Sequence, residues 1–230
     1  MKKVLALSVL SLLIPAFFVL PAHAAATKLY VSPLSVSAGK VGKIFTVNVT
    51  VAGVINLYGF EFKLSYNTTI LDAKSIAQGP FFPGSPKSYV LKNQVNDTGG
   101  YVWFAVTLLA PEPAKTGSGT LAIISFNATY GTIYPRTVDC DLHLYDSALS
   151  DQAAQPIIHD AIDGHYTFMP ILGDINGDGI VDIFDLAIIA FAFGSQPSSS
   201  NWDPRADLNS DNKVDIFDAV MLANNFGKTG

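Results

Sequence analysis

A duplicated acidic pattern near the C-terminus constrains this chain more than any other feature. Asp174-Ile175-Asn176-Gly177-Asp178-Gly179-Ile180-Val181-Asp182-Ile183-Phe184-Asp185 recurs 33 residues later as Asp207-Leu208-Asn209-Ser210-Asp211-Asn212-Lys213-Val214-Asp215-Ile216-Phe217-Asp218. Oxygen-bearing side chains stand at positions 1, 3, 5, 9 and 12 of each copy: Asp174, Asn176, Asp178, Asp182 and Asp185, then Asp207, Asn209, Asp211, Asp215 and Asp218. A hard cation such as Ca²⁺ takes roughly six to eight oxygen ligands, and this spacing wraps carboxylates and amides around one, with the backbone carbonyl of Ile180 or Lys213 at position 7. Two bound calcium ions are therefore expected, with position 9 acting directly or through water. Position 6 needs a sharp turn, which Gly179 supplies and Asn212 approximates because asparagine tolerates the left-handed region. The second site is expected to be more strained and weaker.

The surroundings of the loops exclude a paired EF-hand. Met169-Pro170-Ile171-Leu172-Gly173 precedes the first loop and the Gln196 to Pro204 stretch the second, so neither has an entering helix. Each repeat reads as a loop followed by an exiting helix, Ile183 to Phe193 stopped by Gly194 and Ile216 to Phe226 stopped by Gly227. Apolar residues cover nearly every face of the first helix, more than so small a module can bury. The surplus predicts a partner surface, or packing against the rest of the same chain across the short Phe168 to Gly173 connection.

Duplicated loop-helix halves without entering helices resemble a type I-like dockerin, over Leu172 to Lys228. The resemblance implies calcium-dependent folding and a nearly two-fold surface that docks on a cohesin. It also implies partner choice by positions 10 and 11, here Ile183, Phe184, Ile216 and Phe217. Many type I dockerins carry small polar residues there, so the apolar pairs leave the partner class open.

Residues 27–168 show a period of two. Phe45, Val47, Val49 and Val51 alternate with Thr46, Asn48 and Thr50, Phe60, Phe62, Leu64 and Tyr66 with Glu61, Lys63 and Ser65, and Val102, Phe104, Val106 and Leu108 repeat the spacing. Turn clusters such as Phe82-Pro83-Gly84-Ser85-Pro86 and Asp97-Thr98-Gly99-Gly100 separate the runs. Two antiparallel sheets packed face to face are predicted, with most aromatics inward. The segments Leu57 to Asn67 and Gly119 to Phe126 resemble strands of cohesin domains. That resemblance implies a jelly-roll sandwich with a flat sheet face that binds a dockerin. The fold class expected overall is an all-β jelly-roll sandwich plus a small α-helical calcium-binding module of two loop-helix repeats.

Charge and composition narrow the function. From Met169 onward nine aspartates face three bases, so the acidity of a chain with net charge −5 belongs to this end. Such a balance disfavours nucleic acid, which needs a surplus of Lys and Arg. Lys2-Lys3, the apolar run to Leu20 and Ala22-His23-Ala24 read as a signal peptide over residues 1–24. The mature chain is expected to be secreted, extracellular or at the cell surface, with no membrane span. One cysteine, Cys140, excludes an internal disulfide framework. Four Asn-x-Ser/Thr sequons, at Asn48, Asn67, Asn96 and Asn127, all fall in the first domain.

No catalytic residues are expected. Glu61 and Glu112 make no carboxylate pair across a cleft, and His143, His159 and His165 follow no ligand or triad spacing. The reading is a non-catalytic adaptor that takes a cohesin on its dockerin and a dockerin on its sandwich. Self-association through the two modules follows as an option. The family implies extracellular polysaccharide catabolism, with polysaccharide association or membership of a glycoside hydrolase complex. A sandwich that binds carbohydrate directly is the alternative, decided by whether Tyr58, Trp103 or Tyr134 form an exposed planar strip.

Overall fold

The computed structural model describes residues 26–230, so the expected signal peptide lies outside the described residues. The period-two segment forms a sandwich. One sheet has the order β10 (Asp160–Ile162), β1 (Lys28–Ser32), β3 (Ile44–Leu57), β8 (Lys115–Ala128) and β5 (Leu71–Gln78). The other runs β2 (Ser35–Ala38), β11 (Gly164–Phe168), β9 (Val138–Ser150), β4 (Gly59–Ser65), β7 (Tyr101–Leu108) and β6 (Ser88–Asn96). Along β4, Phe60, Phe62 and Leu64 are buried while Glu61, Lys63 and Ser65 face out, and β7 repeats this with Val102, Phe104, Val106 and Leu108 inward. The alternation thus sets which side chains fill the space between the sheets. Phe62, Phe104 and Phe126 are fully buried there. Each such ring contributes about 1.5–3 kcal/mol of transfer free energy.

The pairing departs from the expected antiparallel pattern at two edges. β1 runs parallel to β10 and β2 parallel to β11. Pro33, which lacks an N–H, sits between β1 and β2, so the chain leaves one sheet and enters the other. The first extended segment therefore contributes an edge-proximal strand to both sheets.

A second, separate core belongs to the C-terminal repeats. Ile175 and Leu208 at position 2, Val181 and Val214 at position 8, and Ile189 and Leu222 on the helices are its symmetric pairs. Helices α1 (Ile183–Ala192) and α2 (Ile216–Ala223) follow the loops. The second is three residues shorter than its apolar pattern predicts. The Asn225 amide donates to the Met221 carbonyl at 2.8 Å, and such side-chain bonding competes with continued helix. No described helix is long and apolar enough to cross a membrane.

Backbone bonds interlock the two halves. Gly194 N–H donates to Val214 O at 2.8 Å and Val214 N–H to Ser195 O at 3.1 Å, so the exit of α1 is tied to the second loop. Gly227 N–H donates to Val181 O at 2.8 Å and Val181 N–H to Lys228 O at 3.0 Å, which ties the exit of α2 to the first loop. Each loop is thereby held by the helix of the other repeat.

Candidate metal loops and docking faces

The acids and amides at loop positions 1, 3 and 5 shape each loop by bonding backbone two or more residues ahead. In the first, Asp174 accepts from Gly177 and Gly179 N–H, Asn176 from Asp178 N–H, and Asp178 from Ile180 N–H, all at 2.8–2.9 Å. In the second, Asp207 accepts from Asp211 and Asn212, Asn209 from Asp211, and Asp211 from Lys213. Asn212 does adopt a left-handed φ of 66°, and Ser210 does so too at 60°, where the first loop has Gly179 and Gly177. Two non-glycine residues carry that cost in the second loop.

The twelfth residues are the most deeply placed. Asp185 is fully buried and accepts Ile175 and Asn176 N–H on Oδ1 at 2.8 and 3.0 Å and Asp182 N–H on Oδ2 at 2.9 Å. Asp218 is equally buried and accepts Leu208, Asn209 and Asp215 N–H. Asp182 and Asp215 in turn accept Phe184 and Phe217 N–H, closing a capping box at the start of each helix. The Asp-x-x-Asp spacing was the signal for this second role, which ligand counting by itself overlooks.

The loops suit a hard cation. No described ion pair involves any of their carboxylates, although Asp174, Asp185 and Asp218 are buried. Burial, followed by the neighbouring charges of Asp185 and Asp178, pushes the Asp174 carboxyl above the usual range despite its bonds from Gly179 and Gly177. The carbonyls of Ile180 and Lys213 accept no hydrogen bond among the described residues. No cluster of three or more His, Cys, Asp or Glu side chains is gathered to hold a metal among the described residues. The oxygens available in each loop are a mixture of carboxylate, amide and backbone carbonyl, a hard-oxygen set of the kind that calcium accepts.

Ile183 and Phe184 are 59% and 66% exposed on the first turn of α1, and Ile216 and Phe217 are 58% and 64% exposed on α2. Phe191, Phe193, Val220 and Phe226 are exposed as well. The sandwich of the same chain does not cover this surface.

On the sandwich, the outer face of the six-stranded sheet carries a cation-aromatic cluster absent from the sequence expectations. Lys63 Nζ lies 4.9 Å from the Trp103 ring centre and 5.6 Å from that of Tyr145, and bonds Asp146 at 2.9 Å. Lys92 Nζ is 4.4 Å from the Trp103 ring, whose Nε1 donates to Glu61 at 2.6 Å. Trp103 is thus engaged by two lysines, while Tyr58 packs against the core and Tyr134 lies between β8 and β9. These three aromatics form no common strip. Glu61 is tied to Trp103 and Glu112 to Lys115 and Lys87, so the domain's two glutamates are not paired with each other. Each of the three domain histidines has a local partner: Asp163 for His143, Ser147 for His159, and Asp139 with Asp141 for His165.

Family comparison separates the chain in two. The cohesin domain family matches residues 30–162 and the dockerin type I domain family residues 172–227. No curated protein matches the chain. Among solved structures, it resembles a non-cellulosomal cohesin from the hyperthermophilic archaeon Archaeoglobus fulgidus at 17% identity and a TM-score of 0.51, covering 63% of this chain and 92% of that one. A chain of the type I Coh-OlpC-Doc435 cohesin-dockerin complex from Clostridium thermocellum gives 13% identity and a TM-score of 0.53, over 64% and 95%. CaCohA2 from Clostridium acetobutylicum gives 19% and 0.50, over 65% and 94%. At these identities the likeness concerns the sandwich fold.

Proposed function

The chain belongs to the cohesin family and carries a type I dockerin domain behind its cohesin domain, and from that premise we propose a secreted, calcium-dependent adaptor. Cohesins and dockerins are interaction modules without catalysis, and they are typical of extracellular cellulosome components. Type I dockerins are calcium-binding modules. In our reading two ions are held, one by Asp174, Asn176, Asp178, Asp182, Asp185 and the Ile180 carbonyl. The other is held by Asp207, Asn209, Asp211, Asp215, Asp218 and the Lys213 carbonyl. Bound calcium supplies positive charge that compensates the buried carboxylates.

The observation that carries this reading is the join between loop and docking residue. Asp185 and Asp218 link each loop to the first turn of its helix, and that same turn exposes Ile183 with Phe184, or Ile216 with Phe217. Ordering the loop therefore orders the apolar pair, and burying four such side chains on a partner supplies the association energy. A cohesin is the partner for this surface. A foreign dockerin, or the dockerin of a second copy, is the partner for the sandwich, and the assembly serves extracellular polysaccharide breakdown.

Calorimetry of the full chain tests this. Calcium titration of the chelated protein should show two ions per chain. Sedimentation in calcium and in chelator then reads self-association, and a panel of purified cohesins reads foreign partners. Phe184→Asp with Phe217→Asp should abolish partner binding while calcium uptake stays at two. Uptake far from two, or a partner bound equally well in chelator, refutes the adaptor reading.

A further inference from the structure

The chain has only two arginines, Arg136 and Arg205, 69 residues apart and in different domains, and both line one cleft. That cleft has a volume of roughly 520 Å³ and also includes Tyr130, Ile133, Tyr134 and Pro204. Its size is that of a small-ligand site, about 300–1,000 Å³. We propose that this cleft binds an acidic saccharide, a uronic acid residue whose carboxylate meets the guanidinium groups while its ring lies on tyrosine.

The chemistry follows from what each group offers. Guanidinium is charged at every physiological pH and its planar fork matches a carboxylate with two parallel hydrogen bonds. Arg136 makes no ion pair among the described residues. Arg205 is held by Asp203, with Nε at 3.0 Å and Nη2 at 2.6 Å from its carboxylate, so one edge of the fork is fixed and the Nη1 side remains for a ligand. The Arg205 guanidinium also holds the Asp203 carboxyl below its usual range, so the pair persists near neutrality. Tyr130 and Tyr134 are 46% and 41% exposed and offer ring surface to a pyranose face. A bare phosphate has no use for these rings. A nucleic acid needs many more cations than the two present here. A carboxylated sugar uses both kinds of group, and it docks where an acidic protein concentrates its arginines.

Saturation-transfer NMR on the full chain in calcium decides the matter, with trigalacturonate as probe against a neutral galactose trimer and inorganic phosphate. The acid trimer should bind saturably, and the neutral trimer at least about tenfold more weakly. Arg136→Gln and Arg205→Gln should each weaken it by roughly tenfold, and Tyr134→Ala by several-fold. Arg136 and Tyr134 are exposed, so unchanged melting temperatures are expected for their variants. The proposal is overturned by no saturable binding up to about 10 mM, by binding that survives Arg136→Gln, or by phosphate competing as well as the uronate. Loss of partner binding by the helix pairs leaves this result untouched, because the cleft shares no residue with them.

Discussion

Replacing Asp185 by asparagine preserves shape and removes one charge and one acceptor. With its carbonyl on the Oδ1 side, the amide keeps the Ile175 and Asn176 N–H bonds, but its NH₂ then faces Asp182 N–H, donor against donor, across the former 2.9 Å bond. The flipped amide strands two donors, so the first orientation prevails. One lost charge-assisted bond with a stranded buried donor costs about 2–3 kcal/mol. Removing the charge also relieves repulsion with Asp174, worth ~1 kcal/mol in a partly hydrated loop. Hydrogen-bond loss therefore wins. In chelator the module should melt roughly 5–15 °C lower, taking about 4–8 °C per kcal/mol for a unit of this size. In saturating calcium the relief vanishes, because the cation already offsets the repulsion, and the drop should grow to roughly 10–20 °C. Helical circular dichroism of the full chain reads this, since the only described helices belong to this module. Asp218→Asn should repeat the pattern. A melt within about 2 °C of the parent in calcium would refute the assignment of Asp185 as the residue joining loop and helix.

Other outcomes follow from the same geometry. Asn212→Gly and Ser210→Gly should each stabilise the second loop by about 0.5–1 kcal/mol and tighten its calcium, read by calorimetry. Gly179→Ala should cost at least ~1 kcal/mol, because φ is +81° and its methyl would sit 2.6 Å from Lys40 Cβ. Without calcium, the raised Asp174 pKa favours the fold while its carboxyl is protonated, and this contribution is lost as pH rises through the folded value. Calcium needs the ionised form, so the melting gap between calcium and chelator should narrow from about pH 7 toward about pH 4, and a constant gap would count against it. Phe62→Ala should cost about 3–5 kcal/mol in urea unfolding of the sandwich, where Phe60 and Phe104 surround the ring.

Much of the architecture was legible from residues close together along the chain. Alternation at Phe60, Phe62 and Leu64 identified inward side chains because strand geometry sends neighbours to opposite faces. The loop ligands were legible because position along a tight loop dictates direction, and the αL state of Asn212 followed from its place opposite Gly179. Pairing between distant strands was not. The parallel edges at β1 and β2 depend on where the chain crosses after Pro33, and no local pattern encodes the strand it will meet.

What the sequence determined by itself is therefore short-range chemistry: two oxygen-lined loops, apolar pairs directly behind them, and a sandwich-forming alternation. Only the tertiary structure decided that Ile183, Phe184, Ile216 and Phe217 stay uncovered by the chain's own sandwich. It also decided that Trp103 lies among lysines, and that Arg136 and Arg205 meet in one cleft. The physical reason is that ligand spacing and periodicity are fixed by covalent connection over a few residues, whereas exposure and convergence are set by packing among residues the chain separates widely.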